Sequence, residues 1–229
     1  MSVVSFPLPV KGVTIDLDGT LLDTIPDLAV AANRMLDELG KPPLDIEVIR
    51  TFVGKGISRL VERTLAAGVD GALDAELMKR GLRIFERHYT DVNGCHTTIY
   101  PGVKEGLARL RKQHFPLACV TNKSERFTLP LLQMIGLAPC FEHVVCGDTL
   151  ARKKPDPAPL LHACAALKIR PREMLMIGDS VNDTEAARAA GCPVFCVTYG
   201  YNEGIDVREL DSDALVDSLE DAVTLIEKV

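Results

Sequence analysis

Five short runs of apolar, β-prone residues punctuate the chain at 13–17, 116–120, 143–146, 174–177 and 193–198. They are nearly continuous rather than alternating with polar residues, the pattern of strands buried on both faces of a parallel sheet. Between them, apolar positions return at helical spacing over 103–112, 126–135, 157–167 and 183–190. Gly136 and Gly191 stand where left-handed caps end two of these helices. A last amphipathic helix is predicted over 219–228. Strands alternating with helices in this way predict an α/β fold built on a doubly wound parallel sheet.

One connection breaks the rhythm. Residues 18–115 separate the first run from the second, whereas a crossover between parallel strands needs only a dozen or so. Helical patterns over 27–39, 45–52, 57–67 and 74–88 fill the gap. The expectation is an α/β core of residues 1–23 and 92–229, with 24–91 inserted as a helical cap.

Composition narrows the class. With 229 residues, 47% hydrophobic and 25% charged, the chain reads as globular rather than disordered, fibrous or membrane-embedded. Its 26 Lys and Arg against 32 Asp and Glu give a net charge of −6. With no basic run, nucleic acid is a poor partner, since that binding rests on phosphate neutralisation. Any anionic substrate must be met by cations gathered locally. Seven cysteines, an odd number with no Cys-x-x-Cys pair, suggest neither a disulfide framework nor a zinc ribbon; most read as small core hydrophobes. The first twelve residues lack a basic stretch followed by a long apolar one, and no apolar run of about 18 residues occurs, so no membrane partner and a cytoplasmic location are expected.

The candidate chemistry lies where strands end. Val13-Thr14-Ile15 runs into Asp16-Leu17-Asp18-Gly19-Thr20, and Met174-Leu175-Met176-Ile177 into Gly178-Asp179-Ser180-Val181-Asn182-Asp183. Carboxyl ends of parallel strands are where open α/β sheets bind ligands. Taken singly, each is equally an Asp turn or, for Asp183, a helix cap. If the two strands are neighbours, Asp16, Asp18 and Asp179 crowd together and need a cation, and an oxygen-only set suits Mg²⁺ better than zinc. Thr121 and Asn122 follow the second run, offering a hydroxyl and an amide. Lys154 precedes Pro155, which favours extended backbone, and so stands at the lip of the sheet; Lys153 reads as a solvated surface lysine.

These four segments, in this order and each after its strand, resemble the haloacid dehalogenase superfamily in its Mg²⁺-dependent phosphatase form. The resemblance implies a strand order of 3-2-1-4-5 and a C1-type cap over the site. It implies that Asp16 attacks phosphorus to form an aspartyl-phosphate, while Asp18 protonates the leaving alkoxide and then activates water. One Asp16 oxygen, the Asp18 backbone carbonyl and Asp179 are the implied Mg²⁺ ligands. Thr121 and Lys154 orient the phosphoryl oxygens, with Gly19, Thr20 and Asn122 beside them. Asp183 stands one layer behind, orienting Lys154 or a water on the ion.

Single residues then discriminate among relatives. Dehalogenases and phosphonatases lack a carboxylate at the place of Asp18, and mutases resembling β-phosphoglucomutase carry a cap His where alignment on Asp16 puts Leu28. A phosphate ester hydrolase is expected. Gly54-Lys55-Gly56 lacks the rest of a P-loop, no Gly-x-Ser-x-Gly occurs, and a receiver-type phosphoacceptor domain has no large cap. Residues 146–150, Lys153 to Pro157 and residues 198–202 are similar to phosphoglycolate phosphatases, with N-acetylmuramic acid 6-phosphate phosphatases sharing much of the pattern. A small phosphorylated metabolite is thus the expected partner of a monomer or homodimer. Lys55, Arg59 or the amides of residues 54–57, at a helix start suited to anions, are the candidates to meet a substrate carboxylate; a plain interhelical turn with solvated cations is the alternative.

Overall fold

A computed structural model describes residues 5–67 and 73–229. Residues 1–4, and 68–72 within the expected cap, lie outside the described residues. The chain opens with β1 (Leu8–Val10), β2 (Gly12–Ile15) and the short β3 (Leu22–Asp23). Four helices follow, α1 (Ile25–Glu38), α2 (Ile46–Arg50), α3 (Ile57–Ala66) and α4 (Ala75–Val92). After β4 (Thr98–Ile99) come α5 (Val103–Lys112), β5 (Leu117–Val120), α6 (Glu125–Ile135), β6 (His143–Val145) and α7 (Ala158–Leu167). Then follow β7 (Met174–Gly178), α8 (Val181–Ala190), β8 (Val194–Val197), β9 (Ala214–Val216), α9 (Leu219–Thr224) and β10 (Ile226–Lys228).

The main sheet runs β6-β5-β2-β7-β8-β9, and every pair in it is parallel. The five expected strands take the order 3-2-1-4-5, and α6 and α8 end at Gly136 and Gly191 with φ of 79° and 78°. Two features differ from expectation. A sixth strand, β9, extends the β8 edge; its three residues follow a polar stretch and are too short to show a period. The last helix stops at Thr224 rather than reaching Lys228, because Ile226 to Lys228 pair parallel with Leu8 to Val10, a distant partner that no local pattern reveals.

The pleat sorts the strand residues onto two faces. Val13, Ile15, Leu117, Cys119, Leu175, Ile177, Phe195 and Val197 pack in one cluster with residues of α5, α6 and α9. Ala118, Val120, Met174, Met176 and Val194 face α7 and α8 instead. Five of the seven cysteines are buried, and all seven are free.

Helices α1, α3 and α4 enclose a separate apolar cluster that includes Met35, Leu65 and Phe85, joined by Phe127 of α6 and by Tyr201. The two connections to this helical segment run side by side, Leu22 opposite Ile99 and Asp23 opposite Thr98 in an antiparallel pair. Fully buried Asp27 of α1 clamps the returning strand. It accepts from Gly94 N at 2.9 Å, His96 N at 2.8 Å, Thr97 N at 3.1 Å and Thr97 Oγ1 at 2.6 Å.

Candidate active site

Asp16 leaves the C-terminal end of β2, its N–H donating to Ile177 O of β7, so the central strand delivers it beside the neighbouring acidic turn. One ligand oxygen from each of Asp16, Asp179 and Asp183 lies within 4.8 Å of the others, all three residues being buried. Lys154 Nζ lies 2.8 Å from Asp16 Oδ1 and 2.7 Å from Asp183 Oδ1, and donates to Val120 O at 2.7 Å. Burial opposes the ammonium charge, but Asp16 and Asp183 together hold it above the ordinary lysine range.

Asp183 performs two tasks at once. Its Oδ1 accepts from Lys154, while its Oδ2 accepts from Ser180 N at 3.1 Å and Ser180 Oγ at 2.8 Å, closing a capping box at the start of α8. One carboxylate thus both caps α8 and meets Lys154. Asp179 is oriented from two sides, by Thr20 Oγ1 at 3.0 Å and by Tyr201 N at 2.6 Å.

Two carboxylates are short of positive charge. Burial pushes the Asp16 carboxyl up to about 7 against the pull of Lys154, with Asp183 adding to the rise. Burial, then Asp183 and Asp16, hold Asp179 well above the ordinary carboxylate range. Asp16 Oδ1 is buried without an aligned hydrogen-bond donor, since Lys154 meets it at ion-pair distance only. An under-neutralised, all-oxygen cluster of this kind fits a hard divalent cation.

Asp18 stands apart from that cluster, correcting the expected crowding of Asp16, Asp18 and Asp179 side chains. Its Oδ1 accepts from Thr24 Oγ1 at 2.7 Å and from Lys123 Nζ at 3.1 Å. Lys123, 4% exposed, also donates to the phenol of Tyr89 on α4; burial lowers its basicity, but Asp18 and Tyr89 raise it above the ordinary value. Sequence reasoning passed over this lysine, although it directly follows the Thr121-Asn122 pair at a strand end.

A cavity of about 40 Å³ lies between core and helices. Asp16, Asp18, Thr121, Asn122 and Lys123 form its polar part, and Leu28, Val53, Ile57 and Leu60 its apolar wall. Gly54 and Gly56 line it too, while Lys55 and Arg59 do not. Lys55 pairs with Glu203 at 2.9 Å and Arg59 with Glu62 at 2.5 Å. Lys153 is not simply solvated: its Nζ donates to Lys55 O at 2.6 Å. Asn122 donates to Gly54 O and Lys154 O, both at 2.9 Å, binding the 53–56 loop to the core.

Gly19 and Thr20 are placed for Asp179 rather than for the cavity. The Gly19 N–H is used in a turn, donating to Leu22 O. A Cβ on Gly19 would lie 2.3 Å from Asp179 Oδ2, so the position needs a residue without one.

A three-layered α/β sheet carrying clustered carboxylates and a buried lysine at its carboxyl edge, under a helical segment, defines the class. The chain belongs to the haloacid dehalogenase-like hydrolases, whose family model matches residues 10–191. It is 58% identical to a phosphoglycolate phosphatase of Nitrosospira multiformis over 97% of this chain and 98% of that one. A phosphoglycolate phosphatase of Thiobacillus denitrificans is 52% identical over 98% and 99%. Among solved structures, one described as a predicted phosphoglycolate phosphatase from Haemophilus somnus 129PT superposes with a TM-score of 0.89 at 33% identity, covering 93% of this chain and 96% of that one. The chain is a phosphatase of this family, and no helix among the described residues is long and apolar enough to cross a membrane.

Proposed function

We propose that this chain hydrolyses 2-phosphoglycolate to glycolate and phosphate with Mg²⁺ as cofactor. The observation that carries the substrate assignment is the near full-length similarity to phosphoglycolate phosphatases, 58% and 52% identical. The small cavity beside Asp16, with Leu28 and Leu60 in its wall, agrees with a small ester.

Residues 24–91 act as the cap and the remainder as the core. Asp16 attacks phosphorus in line with the leaving oxygen and becomes the aspartyl-phosphate, so hydrolysis proceeds in two displacements. Asp18 gives its proton to the departing alkoxide, then takes one from the water that cleaves the acyl phosphate. Thr121 and Lys154 hold the phosphoryl oxygens, Lys154 being kept in place by Asp183. Asp16, the Asp18 backbone carbonyl and Asp179 hold Mg²⁺, which supplies positive charge against the crowded anions. Gly54, Gly56 and Ile57 complete the cavity wall.

A panel of phosphate esters assayed with Mg²⁺ tests the substrate. 2-Phosphoglycolate should exceed sugar phosphates, N-acetylmuramic acid 6-phosphate included, by at least about tenfold in kcat/KM, a difference of about 1.4 kcal/mol; equal or better turnover of the larger esters refutes the assignment. Asp16→Asn should abolish hydrolysis with the fold intact, and full activity in that variant would sink the covalent scheme.

A further inference from the structure

Lys123 is a buried cation at the boundary between core and helical segment. It follows β5 and precedes Ser124, the N-cap of α6, so its position is set by the sheet rather than by a mobile surface loop. Its ammonium has three protons to donate. Asp18 takes one at 3.1 Å, and the Tyr89 phenol takes another.

The cavity that begins at Asp16 is bounded by Lys123 and by apolar side chains. Lys154 is held behind Asp16 by Asp183 and Val120 O, and Lys55 and Arg63 are paired with Glu203. Arg59 is half-exposed and paired with Glu62. Among the described residues lining the cavity, Lys123 alone is cationic. Apart from neutral Thr121 and Asn122 and the backbone of Gly54 and Gly56, a second anionic group on a substrate anchored at Asp16 would meet Leu28, Val53, Ile57 and Leu60, where an unpaired carboxylate is heavily penalised.

Asp18 does not depend on Lys123 for its orientation, because Thr24 Oγ1 already binds the same oxygen at 2.7 Å. A small hydroxyl is enough to aim a carboxylate. An ammonium kept 4% exposed at the cost of desolvation has a use that the hydroxyl cannot supply.

We infer that Lys123 is the specificity residue of this site, its ammonium pairing with the substrate's distal carboxylate while the phosphoryl group rests against Asp16. This rests on the 2-phosphoglycolate reading and adds the residue that recognises the acid. Tyr89, which reaches Lys123 from α4, makes the cation a point shared by cap and core, so the carboxylate is read where the two meet.

The test compares 2-phosphoglycolate with 2-hydroxyethyl phosphate, in which an uncharged hydroxymethyl group replaces the carboxylate, using the full chain with saturating Mg²⁺. In the unsubstituted protein, kcat/KM should favour 2-phosphoglycolate by at least about tenfold. In Lys123→Met, that preference should fall by about 10- to 100-fold, the range for losing one charged hydrogen bond, mostly through KM for 2-phosphoglycolate. Should the Met variant fail to fold, Lys123→Gln, whose amide can still bond Asp18 and Tyr89, serves the same comparison. Equal slowing of both esters, with the preference retained, overturns the inference and makes Lys123 a positioning residue for Asp18. No preference in the unsubstituted protein overturns the substrate reading instead.

Discussion

Lys154 bridges Asp16 and Asp183, its Nζ 2.8 Å from one carboxylate and 2.7 Å from the other, with 2% of its side chain exposed. One ammonium thus serves a carboxylate at the end of β2 and the capping box of α8, linking the proposed nucleophile to the start of a helix. Lys154→Met strands two buried acids and removes the cation beside the proposed nucleophile Asp16. Stability should fall by about 3–5 kcal/mol and kcat by about 10²- to 10³-fold, read by urea denaturation and steady-state kinetics. Denaturation unchanged from the parent would mean that the ion pair is absent in solution.

The raised carboxyl of Asp16 sets a pH dependence. Its folded value of about 7 exceeds the unfolded 3.8, so between these values the folded state binds more protons. Stability of the metal-free protein should therefore fall as pH rises from about 4 through about 7, with Asp179 acting in the same direction. A divalent cation favours the ionised forms, so the rise in Tm from EDTA to Mg²⁺ should be larger at pH 8 than at pH 5. A larger rise at pH 5 contradicts the assigned cluster.

Gly200 leaves room for Asp179. A Cβ built there would lie 2.1 Å from Asp179 Cβ, a separation that forces backbone or carboxylate to shift. Gly200→Ala should weaken activation by Mg²⁺ by about tenfold or more, as outer partners of metal ligands commonly do. Titrating activity against Mg²⁺ gives the answer, and an unaltered curve would show that Asp179 does not hold the ion.

Asp27 holds the segment that returns from the helical insertion, its carboxylate accepting from the backbone of Gly94, His96 and Thr97 and from the Thr97 hydroxyl. Asp27→Ala should cost about 3 kcal/mol, since buried charged hydrogen bonds are lost and their donors left unpaired. Amide exchange should quicken at Gly94, His96 and Thr97. Unchanged exchange at these amides would remove the clamp from the account.

Much of the core was legible because its information is local. The runs before Asp16 and Asp179 are apolar but for Thr14, as suits strands covered on both faces, and their acidic ends stand out against that background. Lys154 was legible through Pro155, which restricts its backbone. Lys123 was not, because one lysine before a helix carries no pattern; its meaning comes from Asp18, on another strand, and Tyr89, on α4. Lys55 and Arg59 show the converse: their charge beside a glycine-rich turn is plain in the sequence, but their ion pairs with Glu203 and Glu62 are not.

The sequence by itself determined the strand-helix alternation, the helical insertion and the carboxylates and cations available for chemistry, because periodicity and strand-end residues are properties of neighbours along the chain. Tertiary structure alone decided which groups meet. It parted the Asp18 carboxylate from the acidic cluster, turned Thr20 and Gly19 toward Asp179, drew residues 226–228 into a strand beside β1, and buried Lys123 against the cavity. Each outcome depends on the distance between groups far apart in sequence, which no local pattern encodes.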